Sequence, residues 1–326
     1  MVSIIIVNWN SADFLGKCLH SIHETTPEGA FEIIVIDNAS FDASKQLIDR
    51  EFPKVLFIQS NENAGFAKAN NAAYDHAKGE TLLFLNPDTE IIKDAITLME
   101  SALNSDEKTG IVGCKLLNSD KSFQTSCVQP FPTIFNQVFD AGILHKIPRV
   151  STMDKTADFK DVEAISGACL MIKRSVFKQV GKFSSDYFMY AEDTDLCYKV
   201  NKRGYRVCYV DQASVIHHGG KSSTGSGRSG FGIVLMRQSI YIFFAKFRGK
   251  GYANDYRIAM FISAIMRLII LVCCSPLRVA LRQSNASIFN PVFKWYKIGR
   301  WSLGLENWVK SLPSATQQTV CAASSQ

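Results

Sequence analysis

In Met1-Val-Ser-Ile-Ile-Ile-Val-Asn-Trp-Asn10 an apolar, largely β-branched run from Val2 to Val7 stops at polar Asn8. It lacks the basic flank and the length of a secretory leader, and is expected to be a strand buried on both faces. Similar runs recur at Glu32 to Ile36, Val55 to Ile58, Thr81 to Leu85 and Ile111 to Cys114. Helical patterns lie between them, at 11–24, 42–51, 65–77 and 92–104. Strand and helix in strict alternation predict an α/β protein with a mainly parallel, doubly wound sheet.

Ligands of such sheets bind outside the carboxyl ends of the strands. The residues there are Asn8 and Asn10, Asp37-Asn38, Asn61 to Asn63, and Asn86-Pro87-Asp88. Asn or Asp at any one end reads as a cap or a turn. Four such ends on one edge predict a polar crevice.

No GxGxxG follows the first strand, where Asn8-Trp9-Asn10-Ser11 stands instead, and no GxxxxGK[ST] occurs. Hydride transfer and P-loop hydrolysis therefore lose support. A diphosphate bound without a glycine cradle calls for a cation, and Asp88, fixed by Pro87, offers a hard oxygen ligand. His217-His218-Gly-Gly-Lys221-Ser222-Ser223, after a strand-like run from Arg206 to Val210, adds imidazole and small polar groups able to approach phosphate. Further candidates lie in Phe188-Met-Tyr-Ala-Glu192-Asp193-Thr-Asp195. Adjacent carboxylates among aromatic rings have pKa values raised toward what a general base needs. The alternative is an acidic helix N-terminus favoured by the macrodipole.

The 326 residues suffice for one large domain with an appendage, or for two domains, and 47% hydrophobic with 20% charged residues describes a globular chain. Nine cysteines show no CxxC spacing, which suits reduced thiols in a cytoplasmic setting. The net charge of +6 is concentrated: residues 237–300 carry eleven Lys or Arg and the single acid Asp255. Within that segment Ile258 to Cys274 is interrupted only by Ser263 and Arg267. A basic amphipathic element at an anionic membrane surface is expected, with a span or a core-packed helix as alternatives. That apolar content disfavours nucleic acid. The prolines at 130, 132 and 148 punctuate a segment expected to cover the site, and a Gly/Ser-rich stretch over 219–232 marks the predicted boundary between residues 1–225 and an extension, 226–326.

Taken in order, Ile4-Ile-Ile-Val-Asn-Trp-Asn10, Ile34-Val-Ile-Asp37-Asn38-Ala-Ser40, Asn61-Glu-Asn-Ala-Gly65-Phe-Ala-Lys-Ala-Asn70, Leu83-Phe-Leu-Asn86-Pro87-Asp88, Ser166-Gly167-Ala168-Cys169, Phe188-Met-Tyr-Ala-Glu192-Asp193-Thr-Asp195-Leu and His217-His-Gly-Gly resemble the family 2 glycosyltransferases of GT-A fold. Within that family the chain is similar to the rhamnosyltransferase-like group that builds bacterial surface polysaccharides such as O-antigen. The resemblance covers about residues 1–225. It implies that Asp37 meets the base of the donor nucleotide, with Asn8, Asn10, Asn38, Asn63, Gly65 and Asn70 lining the same pocket. Gly167 and Ala168 would border a sugar. Asp193 would be the catalytic base, with Glu192 beside it. Asp88 would be the last acid of the metal-binding DxD and His217 a further metal or diphosphate ligand, for Mg²⁺ or Mn²⁺. The first acid of that motif is Asn86 here, which leaves one carboxylate for the cation. The implied reaction is inverting transfer from dTDP-rhamnose first, or a UDP-hexose, to a lipid-linked or polysaccharide acceptor at the inner face of the membrane. A non-catalytic nucleotide-sugar or glycan-binding protein is the rival reading.

Overall fold

The computed structural model describes residues 1–139, 159–219, 230–273 and 285–306. It divides into two compact units, Met1–Phe131 with Arg149–Thr224, and Pro132–Pro148 with Gly225–Gln326. Lys221, Ser222, Ser223 and most of the Gly/Ser-rich stretch lie outside the described residues, as do residues 140–158, which hold much of the segment expected to cover the site.

The first unit opens with β1 (Val2–Asn8), α1 (Ala12–Thr25), β2 (Phe31–Asp37), α2 (Ser44–Glu51), β3 (Leu56–Gln59), α3 (Phe66–Tyr74) and β4 (Thr81–Leu85), as the alternation predicts. The apolar run of β1, interrupted only by the buried Ser3, has its cause in a core on each side of the sheet. Ile4 and Ile6 face Leu15, Leu19 and Met99, whereas Ile5 faces Ala67, Ala73 and Phe84. Helix α1 meets that core with Leu15, Cys18, Leu19 and Ile22, the i, i+3, i+4, i+7 stripe of an amphipathic helix.

The chain then departs from simple alternation. β5 (Thr89–Ile92) takes the start of the predicted 92–104 helix, and α4 (Ala95–Asn104) begins after Lys93, whose φ of 53° breaks the backbone direction. After β6 (Thr109–Leu117) and β7 (Val128–Gln129) comes α5 (Ile134–Val138), which belongs to the second unit. The first unit resumes with β8 (Phe159–Asp161), β9 (Ala164–Ile165), β10 (Cys169–Lys173), α6 (Arg174–Gln179), α7 (Glu192–Lys202) and β11 (Arg206–His217). β11 does not stop at Val210. A register shift between Val210 and Ser214 lets it continue beside β6, so His217 is the last residue of a strand and not part of a following turn.

The large sheet has the order β3-β2-β1-β4-β10-β6-β11-β5, with β8 on β11. β1, β2, β3, β4, β6 and β11 point one way. β10 runs against both its neighbours, β4 and β6, and β5 and β8 run against β11. The sheet is thus mainly parallel by strand direction, with antiparallel insertions that periodicity does not reveal. In register, Asn8 pairs with Asp37 and Asp37 with Gln59, which aligns three strand ends on one rim.

Helix α7 is pinned by Asp195, whose side chain is completely buried. Its carboxylate accepts hydrogen bonds from Ser184 Oγ (2.7 Å) and Tyr187 Oη (3.1 Å) and pairs with Lys199 Nζ at 3.2 Å. These bonds tie the segment before α7 to its first turn.

The second unit is helical, with α8 (Gly230–Phe247), α9 (Gly249–Cys273) and α10 (Asn285–Ser302). One face of α9 buries Ala253, Tyr256, Met260 and Ala264 in a core shared with Phe243, Phe244, Ile298 and Trp301. The other presents Ile258, Ile262, Ile265, Ile269 and Val272 to solvent. Arg267, at mid-helix, donates to Val138 O at 2.9 Å and stacks 4.4 Å over the Trp295 ring. Beside it lies an apolar cavity of about 640 Å³ lined by Val138, Met266, Ile270 and Trp295 among others. By length and composition α9 could cross a membrane.

Replacing Asp195 with Ala takes away the buried acceptor of Ser184 Oγ and Tyr187 Oη and an ion partner of Lys199, whose Nζ keeps Lys182 O and Ser184 Oγ. Asp195→Ala is expected to destabilise the protein by about 3–5 kcal/mol, read as a lower urea midpoint at unchanged m-value.

Candidate active site

The polar ends of the strands are joined residue to residue. Asn8, fully buried, donates through Nδ2 to Asp37 Oδ1 (2.7 Å) and to Ser44 Oγ (2.8 Å). Asp37 Oδ2 accepts from Ser40 N and from Gln59 Nε2, each at 2.7 Å. Asn10, in a left-handed conformation at φ 50°, accepts from Phe41 N through Oδ1 at 2.9 Å. Asn38 donates across the rim to Gly65 O at 3.4 Å. Asn63 Oδ1 takes the Gly65 amide at 3.0 Å, and Asn70, inside α3, donates to Phe66 O at 3.0 Å. Asn8, Asn38 and Asn70 each keep a buried amide oxygen with no hydrogen-bond partner.

Gly65 is where this loop meets the acidic motif. Its φ is +81°, and a Cβ there would fall 2.3 Å from Phe188 O, while the next amide, Phe66 N, donates to that same oxygen at 2.9 Å. Only glycine fits. From Phe188 the chain passes through Tyr190 and Ala191, both at positive φ (72° and 63°), before α7 starts at Glu192. Two successive left-handed non-glycine residues cost about 1 kcal/mol or more each, strain that the surrounding bonds must hold.

Asp193 then meets the next motif. Its Oδ2 accepts from Gly167 N at 2.9 Å, and its Oδ1 from Thr194 N at 2.6 Å and Thr194 Oγ1 at 3.2 Å. A Cβ on Gly167 would lie 3.3 Å from Asp193 Cβ, so the glycine admits the close approach. Ala168 O accepts from Asn86 N at 3.0 Å. Asn86 Nδ2 reaches His217 Nε2 at 3.4 Å, and that nitrogen lies 3.5 Å from Asp88 Oδ1. All fourteen residues singled out by the sequence thus stand in the first unit, and a run of contacts leads along the rim from Asn8 to Asp88.

The neighbouring acids differ in electrostatics. Burial, with Asp193 close by, pushes Glu192 up to about 8, and Glu192 Oε2 has no hydrogen-bond partner. Burial raises Asp193 as well, but the Gly167 and Thr194 amides and the Thr194 hydroxyl oppose the shift. When two acids compete for one charge, it settles on the one with donors. Of the pair, Asp193 is therefore the acid that ionises first, and Glu192 the one that holds its proton to higher pH. The helix N-terminus, which alone could explain acids at 192, 193 and 195, adds to this without telling them apart.

Ser40, Ser44, Gln59 and Gln124 were not picked out from the sequence as site residues. Ser40 closes a quoted motif, whereas Gln124, which bonds His217 Nδ1 through Oε1 at 2.7 Å, sits where the sequence pattern is weak.

The model of Glycosyl transferase family 2 matches residues 3–181. The chain belongs to that family. A second model, Glycosyl transferase family group 2, matches residues 150–291. Rhamnosyltransferase WbbL of Escherichia coli is 30% identical over 228 residues, 67% of this chain and 83% of that protein. The N-acetylglucosaminyl-diphospho-decaprenol L-rhamnosyltransferase of Mycobacterium tuberculosis is 27% identical over 262 residues, 75% of this chain and 84% of that one. Among solved structures, a mannosyltransferase from Pyrobaculum calidifontis in complex with GDP-Man and Mn²⁺ shares the fold, with a TM-score of 0.54 at 18% identity over 99% of this chain and 79% of that one. The chain is a family 2 glycosyltransferase with the GT-A fold.

A divalent cation fits the residues at Asp88 in part. Two ligands bound to one ion at about 2.1 Å lie about 3 to 3.5 Å apart, which the Asp88 and His217 atoms satisfy at 3.5 Å. Among the described residues no third His, Cys, Asp or Glu joins them. Such an ion would complete its shell with water and substrate oxygens, as Mg²⁺ commonly does.

Glu192 links pH to stability. Its carboxyl ionises near 4.5 when unfolded and near 8 when folded, so its contribution is intact below 4.5 and is lost as pH rises through about 8. Glu192→Gln removes that loss. Urea midpoints measured from pH 5 to 9 should fall less steeply for the variant than for the parent, and parallel curves would contradict the burial of an ionisable group there.

Proposed function

We propose that this glycosyltransferase carries out an inverting transfer in which Asp193 is the general base. The acceptor hydroxyl oxygen forms the new bond to the anomeric carbon, the bond from that carbon to the diphosphate oxygen breaks, and the hydroxyl proton passes to Asp193. The observation that carries this reading is the pairing of Asp193 with the Gly167 amide. It holds a charged carboxylate on the rim that also bears Asp37 and Asp88, while the neutral Glu192 spares it a competing charge. The amides of Gly167 and Thr194 orient the carboxylate, and Gly65 lets the Asn63 loop pack beneath the segment that leads to it. Asn8, Asn10, Asp37, Asn38, Asn63, Gly65, Asn70 and Asn86 shape the donor pocket, and Gly167 with Ala168 borders a sugar. Asp88 and His217 would hold Mg²⁺ or Mn²⁺, which when bound would supply positive charge for the leaving diphosphate.

For the donor we favour dTDP-rhamnose, with UDP-hexoses next, because two of the relatives are rhamnosyltransferases. A lipid-linked glycan is the acceptor this reading favours, in keeping with the diphospho-decaprenol in one relative's name. Residues 1–225 form the catalytic domain, and 226–326 keep it at the inner membrane surface. Two features support that anchoring: the outward isoleucines of α9 and the surplus of Lys and Arg over acids in residues 237–300.

Asp193→Asn is expected to keep the parent circular dichroism spectrum and lose about 10²- to 10⁴-fold in turnover across a panel of nucleotide sugars with Mg²⁺. Near-parent turnover would remove Asp193 from the role. Asp88→Ala should weaken donor binding and raise the metal concentration needed for half-maximal rate, and an unchanged metal dependence would argue against ligation. For the membrane face, Ile262→Glu with Ile269→Glu should cut co-sedimentation with anionic vesicles at least about tenfold, since each loses about 1–2 kcal/mol of apolar insertion.

A further inference from the structure

We propose that Gln124 is a positioning residue: an oriented run of hydrogen bonds, Asp120 to Ser122 to Asn118 to Gln124, keeps the His217 proton on Nδ1 and leaves Nε2 bare toward Asp88. The inference rests on the reading of His217 as a metal ligand and goes beyond it, because none of these four residues belongs to the motifs.

The direction of every bond in the run follows from the first. A carboxylate only accepts. Asp120 Oδ1 therefore takes the hydroxyl proton of Ser122, at 2.6 Å. With that proton committed, Ser122 Oγ accepts from Asn118 Nδ2 at 2.8 Å. The Asn118 amide is thereby turned so that its Oδ1 faces Gln124, whose Nε2 donates to it at 2.9 Å and also reaches His217 O at 3.3 Å. Both bonds require the amide nitrogen of Gln124 on that side. Its Oε1 is then the atom 2.7 Å from His217 Nδ1, and a carbonyl oxygen bonds only to a protonated ring nitrogen. Nε2 keeps its lone pair, facing Asn86 Nδ2 at 3.4 Å and Asp88 Oδ1 at 3.5 Å.

The backbone holds the run in place. Asn118 N donates to Ser122 O and Lys121 N to Asn118 O, each at 2.8 Å, and Lys121 adopts φ 63° to close the turn. Gln124 N donates to Leu116 O at 2.9 Å, which returns the chain beside the end of β6. A metal-binding imidazole needs its second nitrogen held in this manner, since the partner sets the tautomer, the ring angle and the basicity of the ligating atom. The run also accounts for a two-ligand site: with so few protein ligands, each must be oriented in advance.

Two measurements on the full-length protein test this. Long-range ¹H–¹⁵N correlation spectra of metal-free protein identify the His217 tautomer by comparison with His217→Ala. The affinity for Mn²⁺ alone is read by electron paramagnetic resonance titration. The parent is expected to show Nδ1–H. Gln124→Met, similar in length but unable to accept, should lose that tautomer and bind Mn²⁺ about 10- to 100-fold more weakly, with an unchanged circular dichroism spectrum. Gln124→Glu, which still accepts from Nδ1–H but cannot donate to Asn118 Oδ1 or His217 O, should keep Nδ1 protonated and bind Mn²⁺ more tightly than Gln124→Met. An Nε2–H tautomer in the parent overturns the proposal. So does parent-like Mn²⁺ affinity in Gln124→Met when His217→Ala lowers it, a result that leaves His217 a ligand. Parent-like affinity in His217→Ala overturns the ligand reading and the proposal together.

Discussion

The site depends on one strand that runs against its neighbours. β10 lies between β4 and β6 and is antiparallel to both, so its first residues lie where β4 ends. A parallel strand in that place would present its carboxyl end there, and the Gly167-Ala168 turn would sit at the opposite edge of the sheet. Reversed, β10 brings the Gly167 amide to Asp193 and the Ala168 carbonyl to Asn86. The acidic helix and the Asn-Pro-Asp turn are thereby connected through two adjacent residues.

Around that strand, glycines and left-handed residues set how closely the backbone segments approach. Gly65 lets a carbonyl lie where any side chain would collide, and Gly167 leaves the Asp193 Cβ room that a side chain would crowd. Tyr190 and Ala191 carry strain just before α7, and the buried Asp195 bonds hold that turn from below. Fixing the segment on both sides gives two adjacent acids different environments. One meets amide hydrogens that favour its charge, and the other is desolvated by burial, which favours its proton. A proposed base and a neutral neighbour arise from the same backbone bend.

Replacement of an acid by Asn86 changes the demands on the cation site. Asp88 and His217 face each other at a separation suited to one small ion, and Asn86 touches the imidazole instead of adding charge. On the proposed reading, fewer protein charges leave more of the ion's binding to the nucleotide diphosphate. Preorientation of the imidazole then carries more weight than it would beside a second carboxylate.

Much of this was legible in the chain. The β-α alternation, the apolar run of β1 and the polar strand ends are short-range patterns, set by burial of successive residues and by the residue that stops each run. Motif order sufficed to group Asn8, Asp37, Asp88, Asp193 and His217. The antiparallel sense of β10, the strand at Thr89–Ile92 and the extension of β11 to His217 were not legible, because strand direction is chosen by hydrogen-bond partners distant in sequence. Gln124 escaped notice for the same reason: an isolated glutamine after a turn has no pattern of its own, and only the approach of β11 brings the His217 imidazole to its amide oxygen. Local sequence determined which residues form each strand and where polarity begins. The tertiary structure decided which of two neighbouring acids ionises first, since that depends on burial and on the Gly167 amide brought in from another part of the chain.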